Sequence, residues 1–157
     1  MASDDARLGR LEDLEAIRDL ARRYAHCVWQ EDVEGAVGLF TEDGVFATGE
    51  REPIRGRAAL LETYRQMLAG PELQPFVHNH VIELDGDRAR GWCYLDLRAT
   101  MGGKSVIGSG CYEDLYERTA DGWRFASRTL KLRFLVPITE GWTPPLPEAS
   151  AKKKRWR

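Results

Sequence analysis

The amino-acid sequence predicts an α+β fold, three helices followed by an antiparallel sheet, and two observations carry that expectation. Up to Leu68 the apolar residues recur every three or four positions, and from Phe76 onward they recur every second position. Short polar turns then divide the second half into long strands, at Asp85-Gly86-Asp87, Met101-Gly102-Gly103-Lys104 and Thr119-Ala120-Asp121-Gly122.

The first helix reads from Leu11. Leu11, Leu14, Ile17, Ala21, Tyr24 and Val28 form one apolar stripe, with Glu12, Asp13, Glu15, Arg18, Arg22 and Arg23 on the other side. Acids come early and bases late, which suits the helix dipole. The stripe ends near Trp29, and Asp32 is placed to cap a second helix that buries Val33, Ala36, Val37 and Phe40. Thr41-Glu42-Asp43-Gly44 breaks that helix, and Val45-Phe46-Ala47 is a short strand. A third helix starts near Arg57, turns Leu60, Leu61, Tyr64, Met67 and Leu68 inward, and stops at Gly70-Pro71. Four strands follow, over 76–84, 88–99, 106–118 and 123–134, as an antiparallel meander. Gly108 and Gly110, close together in one strand, permit strong curvature. Residues 1–10 read as a flexible N-terminus, 11–135 as the domain, and 136–157 as a Pro-rich extension with a basic tail.

A chain of 157 residues suits one core, and 43% hydrophobic with 31% charged residues is a globular composition rather than a disordered one. Net charge is −2, yet the tail from Ala151 to Arg157 holds three Lys and two Arg and no acid. The remainder is therefore acidic and repels polyphosphate, which argues against nucleic acid as a partner. The basic run itself reads as a solvated tail. No apolar run is long enough to span a bilayer, and MASDDARLGR lacks a signal-peptide core, so a cytoplasmic location without membrane contact is expected. Cys27, Cys93 and Cys111 are odd in number and fall inside predicted elements, as reduced thiols do. No metal and no cofactor are expected: there is no metal-ligand spacing, Gly-rich phosphate loop or nucleophile elbow, which disfavours redox, kinase and hydrolase chemistry.

Several short segments, in order, resemble one family. They are Arg23-Tyr24, Asp32, Leu39-Phe40-Thr41-Glu42-Asp43-Gly44-Val45-Phe46, Gly56-Arg57, His78-Asn79-His80-Val81-Ile82, Asp85-Gly86-Asp87-Arg88-Ala89, Gly110-x-Tyr112-x-Asp114 and Gly122-Trp123-Arg124-Phe125-x-x-Arg128. Together they resemble the SnoaL-like branch of the nuclear transport factor 2-like superfamily, over about residues 11 to 135. The resemblance implies a cone-shaped barrel, with three N-terminal helices packed on a strongly curved antiparallel sheet around a deep apolar pocket. Its dehydratase-type members use an Asp–His pair, in which His abstracts a carbon-bound proton and Asp orients it. The Asp position, five residues after the helix-closing Tyr, falls on Trp29 here. The His position, seven residues before Ile82, falls on Pro75. Neither residue can carry a proton, so the inherited mechanism does not transfer. A shifted register would put Asp32 and His78 in the two roles, although Asp32 is better explained as a helix cap. With the family geometry, Trp29 and Pro75 are expected on opposite sides of one cavity.

The remaining polar candidates are Tyr24, His78 and Asp96 as catalytic groups, with Trp29, Phe46, Tyr64, Pro75, Asn79, Tyr94 and Tyr112 as pocket residues. In some relatives the residue matching Tyr24 polarises a substrate oxygen; otherwise it is a core tyrosine with a satisfied hydroxyl. His78 and His80 alternate and are expected on one face, either lining the pocket or packed outside at a subunit contact. Arg128 is the expected partner of Asp114, and Asp96 has no partner visible in the sequence. Two functions follow. One is a cofactor-free lyase, isomerase or cyclase acting on a small apolar, even polycyclic, compound. The other is a non-catalytic ligand-binding or assembly module. Trp123, Phe125 and His80 are expected on a second, exposed sheet face that a partner covers, giving a homodimer or homotrimer.

Overall fold

A computed structural model of the chain describes residues 3–49 and 51–142. Helix α1 spans Asp4–Trp29, so it starts ahead of Leu11: Ser3 Oγ accepts from the Ala6 N–H at 3.2 Å, and Asp4 and Asp5 sit in the first turn. Its buried stripe begins only at Ile17, and Leu11 stays 62% exposed. The early turns are pinned through polar groups instead. Asp13 accepts from both Arg118 terminal nitrogens, at 2.8 and 2.7 Å, and from Trp123 Nε1 at 3.0 Å. The Arg118 hydrogen bond holds the Asp13 carboxyl below its ordinary pKa.

Asp32 caps the short helix α2, Val33–Gly38, accepting from the Gly35 N–H at 2.8 Å. Any side chain at Gly35 would collide with that carboxylate. Then come β1 (Phe40–Thr48), β2 (Ile54–Arg55) and α3 (Arg57–Leu68). The long strands are β3 (Glu72–Asp85), β4 (Arg88–Met101), β5 (Lys104–Thr119) and β6 (Gly122–Pro137). Tail residues 143–157, with most of the Pro-rich extension and the basic run, lie outside the described residues.

The fold is α+β, with N-terminal helices on a curved sheet, but the sheet is mixed rather than antiparallel throughout. Its order is β2-β1-β6-β5-β4-β3, and β1 runs parallel to β6. A helix and the whole meander separate those two strands in sequence, which is what a parallel pairing requires. Strands β2 and β3 are its two edges, so the barrel is not closed. The curvature expected at Gly110 is present: the β5–β6 register shifts between Ser109 and Gly110, where a Cβ would run into the Lys131 carbonyl.

A second bulge reorders the predicted faces. His78 pairs with Tyr94 and Val81 with Trp92, so Asn79 and His80 together oppose one residue, and Asn79 takes a left-handed φ of 48°. Asn tolerates that conformation better than most residues. The phase of the strand flips there. His78 stays on the outer face while His80 turns inward, which corrects the expectation that they share a face. Trp123 and Phe125 also belong inside, 4% and 0% exposed, rather than on the partner-facing surface. Their positions face α1 because the outer face is taken by their sequence neighbours.

Candidate functional site

The interior of the sheet is built around a buried charge. Arg128 is fully enclosed, and its Nε and Nη2 donate to the two Asp114 oxygens at 2.9 and 3.0 Å, the pair expected from sequence. The guanidinium lies over three rings, Tyr112 at 3.9 Å, Phe125 at 4.2 Å and Tyr24 at 4.3 Å. These π faces surround it where Nη1 has no hydrogen-bond partner. Burial opposes the Arg128 charge, but the Asp114 carboxylate outweighs burial and leaves the pKa raised. Tyr24 is 2% exposed, and its hydroxyl shares a 2.7 Å bond with Tyr64. Phe46 packs on Tyr64 at 5.4 Å. Burial raises the pKa values of Tyr24, Tyr64 and Tyr112, so all three remain protonated at neutral pH. Tyr24, Phe46, Tyr64 and Tyr112 thus form packed core around Arg128.

A polar line leads from this core outward. An Asp114 carboxylate held by Arg128 can only accept, so the Tyr116 hydroxyl donates to it, at 2.9 Å. The Tyr116 oxygen lies 2.8 Å from His80 Nε2. Burial, reinforced by the charges of Arg128, Arg18 and Arg22, lowers the His80 pKa to about 4. Sequence alternation gave no sign of this contact, because it depends on the bulge; Asn79 between two histidines was the only hint.

Trp29 and Pro75 do meet, though not across a cavity. The Trp29 indole N–H donates to the Pro75 carbonyl at 2.8 Å, and the ring meets Phe76 edge-on at 5.4 Å. Pro75 lies within β3, an edge strand, where its missing N–H leaves no gap in a ladder. Trp29, 40% exposed, therefore covers an edge carbonyl instead of filling a pocket. Asp32 is occupied in capping α2, with the Cys27 thiol 3.8 Å from its other oxygen.

On the outer face the register aligns Phe76, Asp96, Ser109 and Phe134 in one row across β3, β4, β5 and β6. This row floors a cleft of about 560 Å³, walled also by Arg98, Ile107 and Trp142. Trp142 stacks on Phe134 at 5.7 Å, and Arg98 lies 5.1 Å over Phe76. Asp96 has a partner after all: His78 Nε2 is 3.3 Å from Asp96 Oδ2, and both side chains are open to solvent. Tyr94 shares this face, and Asn79 is exposed at the bulge. The candidates named from sequence are thus divided between two faces. Among the described residues no group of three His, Cys, Asp or Glu side chains is placed to hold a metal, and no helix is long and apolar enough to cross a membrane.

Helices packed on one face of an open, curved sheet are the architecture of the nuclear transport factor 2-like class of α+β proteins. Within it, this chain belongs to the SnoaL-like domain family, which it matches over residues 9–129. A protein of unknown function from Mycobacterium tuberculosis is 31% identical, with TM-score 0.74, over 82% of this chain and 76% of that one. A protein from Novosphingobium aromaticivorans that bears the name aromatic ring hydroxylase is 27% identical, with TM-score 0.76, over 83% and 96% of the two chains. Another from that organism, bearing the name scytalone dehydratase, has TM-score 0.76 at 19% identity, over 89% and 97%. That last likeness concerns the fold alone. Among curated proteins none matches the sequence significantly.

Proposed function

We propose that this protein binds a small, largely apolar organic compound in the outer-face cleft and works without the Asp–His pair of its dehydratase relatives. The observation that carries the reading is the cleft itself. At about 560 Å³ it falls within the size range of small-molecule sites, and Phe76, Ile107, Phe134 and Trp142 supply apolar walls beside Asp96 and Arg98. The interior, in contrast, is filled by Tyr24, Tyr64, Tyr112 and Arg128. In the catalytic form of this reading, His78 is the base and Asp96 orients it, and the reaction is a cofactor-free lyase or isomerase step. Titrating a panel of neutral mono- and bicyclic aromatics against tryptophan fluorescence tests the binding. Saturable binding that Phe134→Ala weakens about tenfold supports it; absence of saturable binding to every member refutes it. Loss of turnover with binding retained in His78→Gln marks the protein as catalytic. Unchanged turnover in that variant removes His78 from the role.

A second reading, an assembly role, rests on the other end of the same face. Val81, Tyr94 and Leu115 are 52%, 41% and 54% exposed there. We propose that this patch joins two or three copies of the chain. Light scattering of the wild type and Leu115→Glu should give an oligomer and a monomer; a monomeric wild type refutes it.

A further inference from the structure

Beside the bulge, between α1 and β3, lies a hollow of about 220 Å³ lined by Arg18, Arg22, Val77, His78, His80 and Cys93, among others. It is smaller than the range of drug-sized sites, roughly 300–1,000 Å³, and suits a compact ligand. The hydrogen-bond line behind it determines which form of His80 the ligand meets. Asp114 binds Arg128 through both oxygens and only accepts. Tyr116 therefore gives its one proton to Asp114, and its oxygen must accept from His80 Nε2–H. That leaves Nδ1 as a bare lone pair. Nδ1 has no hydrogen-bond partner among the described residues. It is not buried either, since the only buried and unpartnered side-chain N or O among them is Arg128 Nη1. His80 thus offers the hollow an acceptor whose tautomer the core has already chosen.

The charges around the hollow favour an anion. Arg18 and Arg22 reach it from α1 and share the Glu15 carboxylate, while Asp19, which also acts on Arg22, is held by Arg23. On the sheet side Arg128 and Asp114 neutralise one another, Cys93 carries a thiol whose pKa burial raises to about 11, and His78 lines the rim. One guanidinium charge is therefore left over at the mouth, 39% and 56% of the two side chains being open to solvent.

We infer that this hollow binds a small organic anion bearing a hydroxyl, of the 2-hydroxy carboxylate class, with Arg18 and Arg22 holding the carboxylate and His80 Nδ1 accepting the hydroxyl hydrogen. The site lies between α1 and β3; His78 on its rim pairs with Asp96 of the outer-face cleft, but Arg18, Arg22 and His80, which carry the inference, do not line that cleft.

The test uses the full chain, isotope-labelled, and three matched probes: mandelate, phenylacetate without the hydroxyl, and mandelamide without the charge. Imidazole ¹⁵N spectra at neutral pH should show His80 protonated on Nε2. Mandelate should move the Nδ1 signal and bind about tenfold more tightly than either other probe, the usual worth of one such hydrogen bond or charge contact. Arg22→Gln, a change on an exposed helix side, should erase the preference for mandelate over mandelamide without altering the tautomer. Phe134→Ala should leave mandelate binding unchanged, which separates this site from the cleft. The inference is overturned if His80 carries its proton on Nδ1, if the three probes bind alike, or if none moves the Nδ1 signal.

Discussion

Asp114 and Asp96 invite comparison. Each lies on a central strand of the meander, Asp114 between Tyr112 and Tyr116 and Asp96 between Tyr94 and Arg98, and each meets a basic partner on a neighbouring strand, Arg128 directly opposite and His78 on the diagonal. Asp114 is on the inner face, gripped at two oxygens by a fully buried Arg128 and a third time by Tyr116. Asp96 is on the outer face, with a single 3.3 Å contact to a half-exposed His78. A similar local pattern yields a buried structural centre on one side and a solvent-open His78–Asp96 contact on the other. What differs is the solvent behind them. Inside, an uncompensated charge is too costly to survive, so every partner is committed. Outside, water does the compensating and leaves the pair free to meet a ligand.

The sharpest break in this comparison is a matched pair of substitutions. Asp114→Ala strands the Arg128 charge and should cost about 3–5 kcal/mol in urea denaturation. Asp96→Asn should shift stability by no more than about 0.5 kcal/mol. Equal effects from the two would show that the faces do not differ in this way.

The inner face should also respond to acid through His80. Its pKa is about 4 in the fold against 6.5 unfolded, so between those values the unfolded chain binds the extra proton. The contribution is therefore complete above about pH 6.5 and is lost as pH falls toward 4. After discounting for the part of the ring that water reaches, it amounts to about 1–2 kcal/mol. The groups facing His80 are Arg18 and Arg22 from α1, Tyr116 and Asp114 from β5, Arg128 from β6 and Cys93 from β4. Denaturation curves at pH 7 and pH 5 should show a smaller acid loss in His80→Gln than in the wild type.

The bulge that divides the two faces can be probed directly. Asn79→Val places a β-branched side chain at φ 48° and should cost about 1–2 kcal/mol, read as a lower Tm, while Asn79→Gly should cost nothing. Trp29→Phe keeps the ring contact with Phe76 and removes only the hydrogen bond to Pro75, for a loss of about 1 kcal/mol in the same assay.

By itself the sequence determined the helices, the long strands, their turns and the family, because periodicity and turn chemistry are local. Three- and four-residue spacing marks α1 and α3, two-residue spacing marks β4, and Asp-Gly-Asp marks the turn between β3 and β4. The Asp114–Arg128 pairing was legible too, since an acid on an aromatic strand face needs a cation within reach. Pairings that reach across the chain were not legible: β1 beside β6, Trp29 against Pro75, and Asp96 with His78. Nor was the inward turn of His80, because the extra residue of the bulge inverts every side chain that follows, and Asn79, a residue type that tolerates positive φ, was the only hint of it. Only the tertiary structure decided which face each candidate occupies and how much of it stays open, and that separates a side chain committed to the core from one that can meet a ligand.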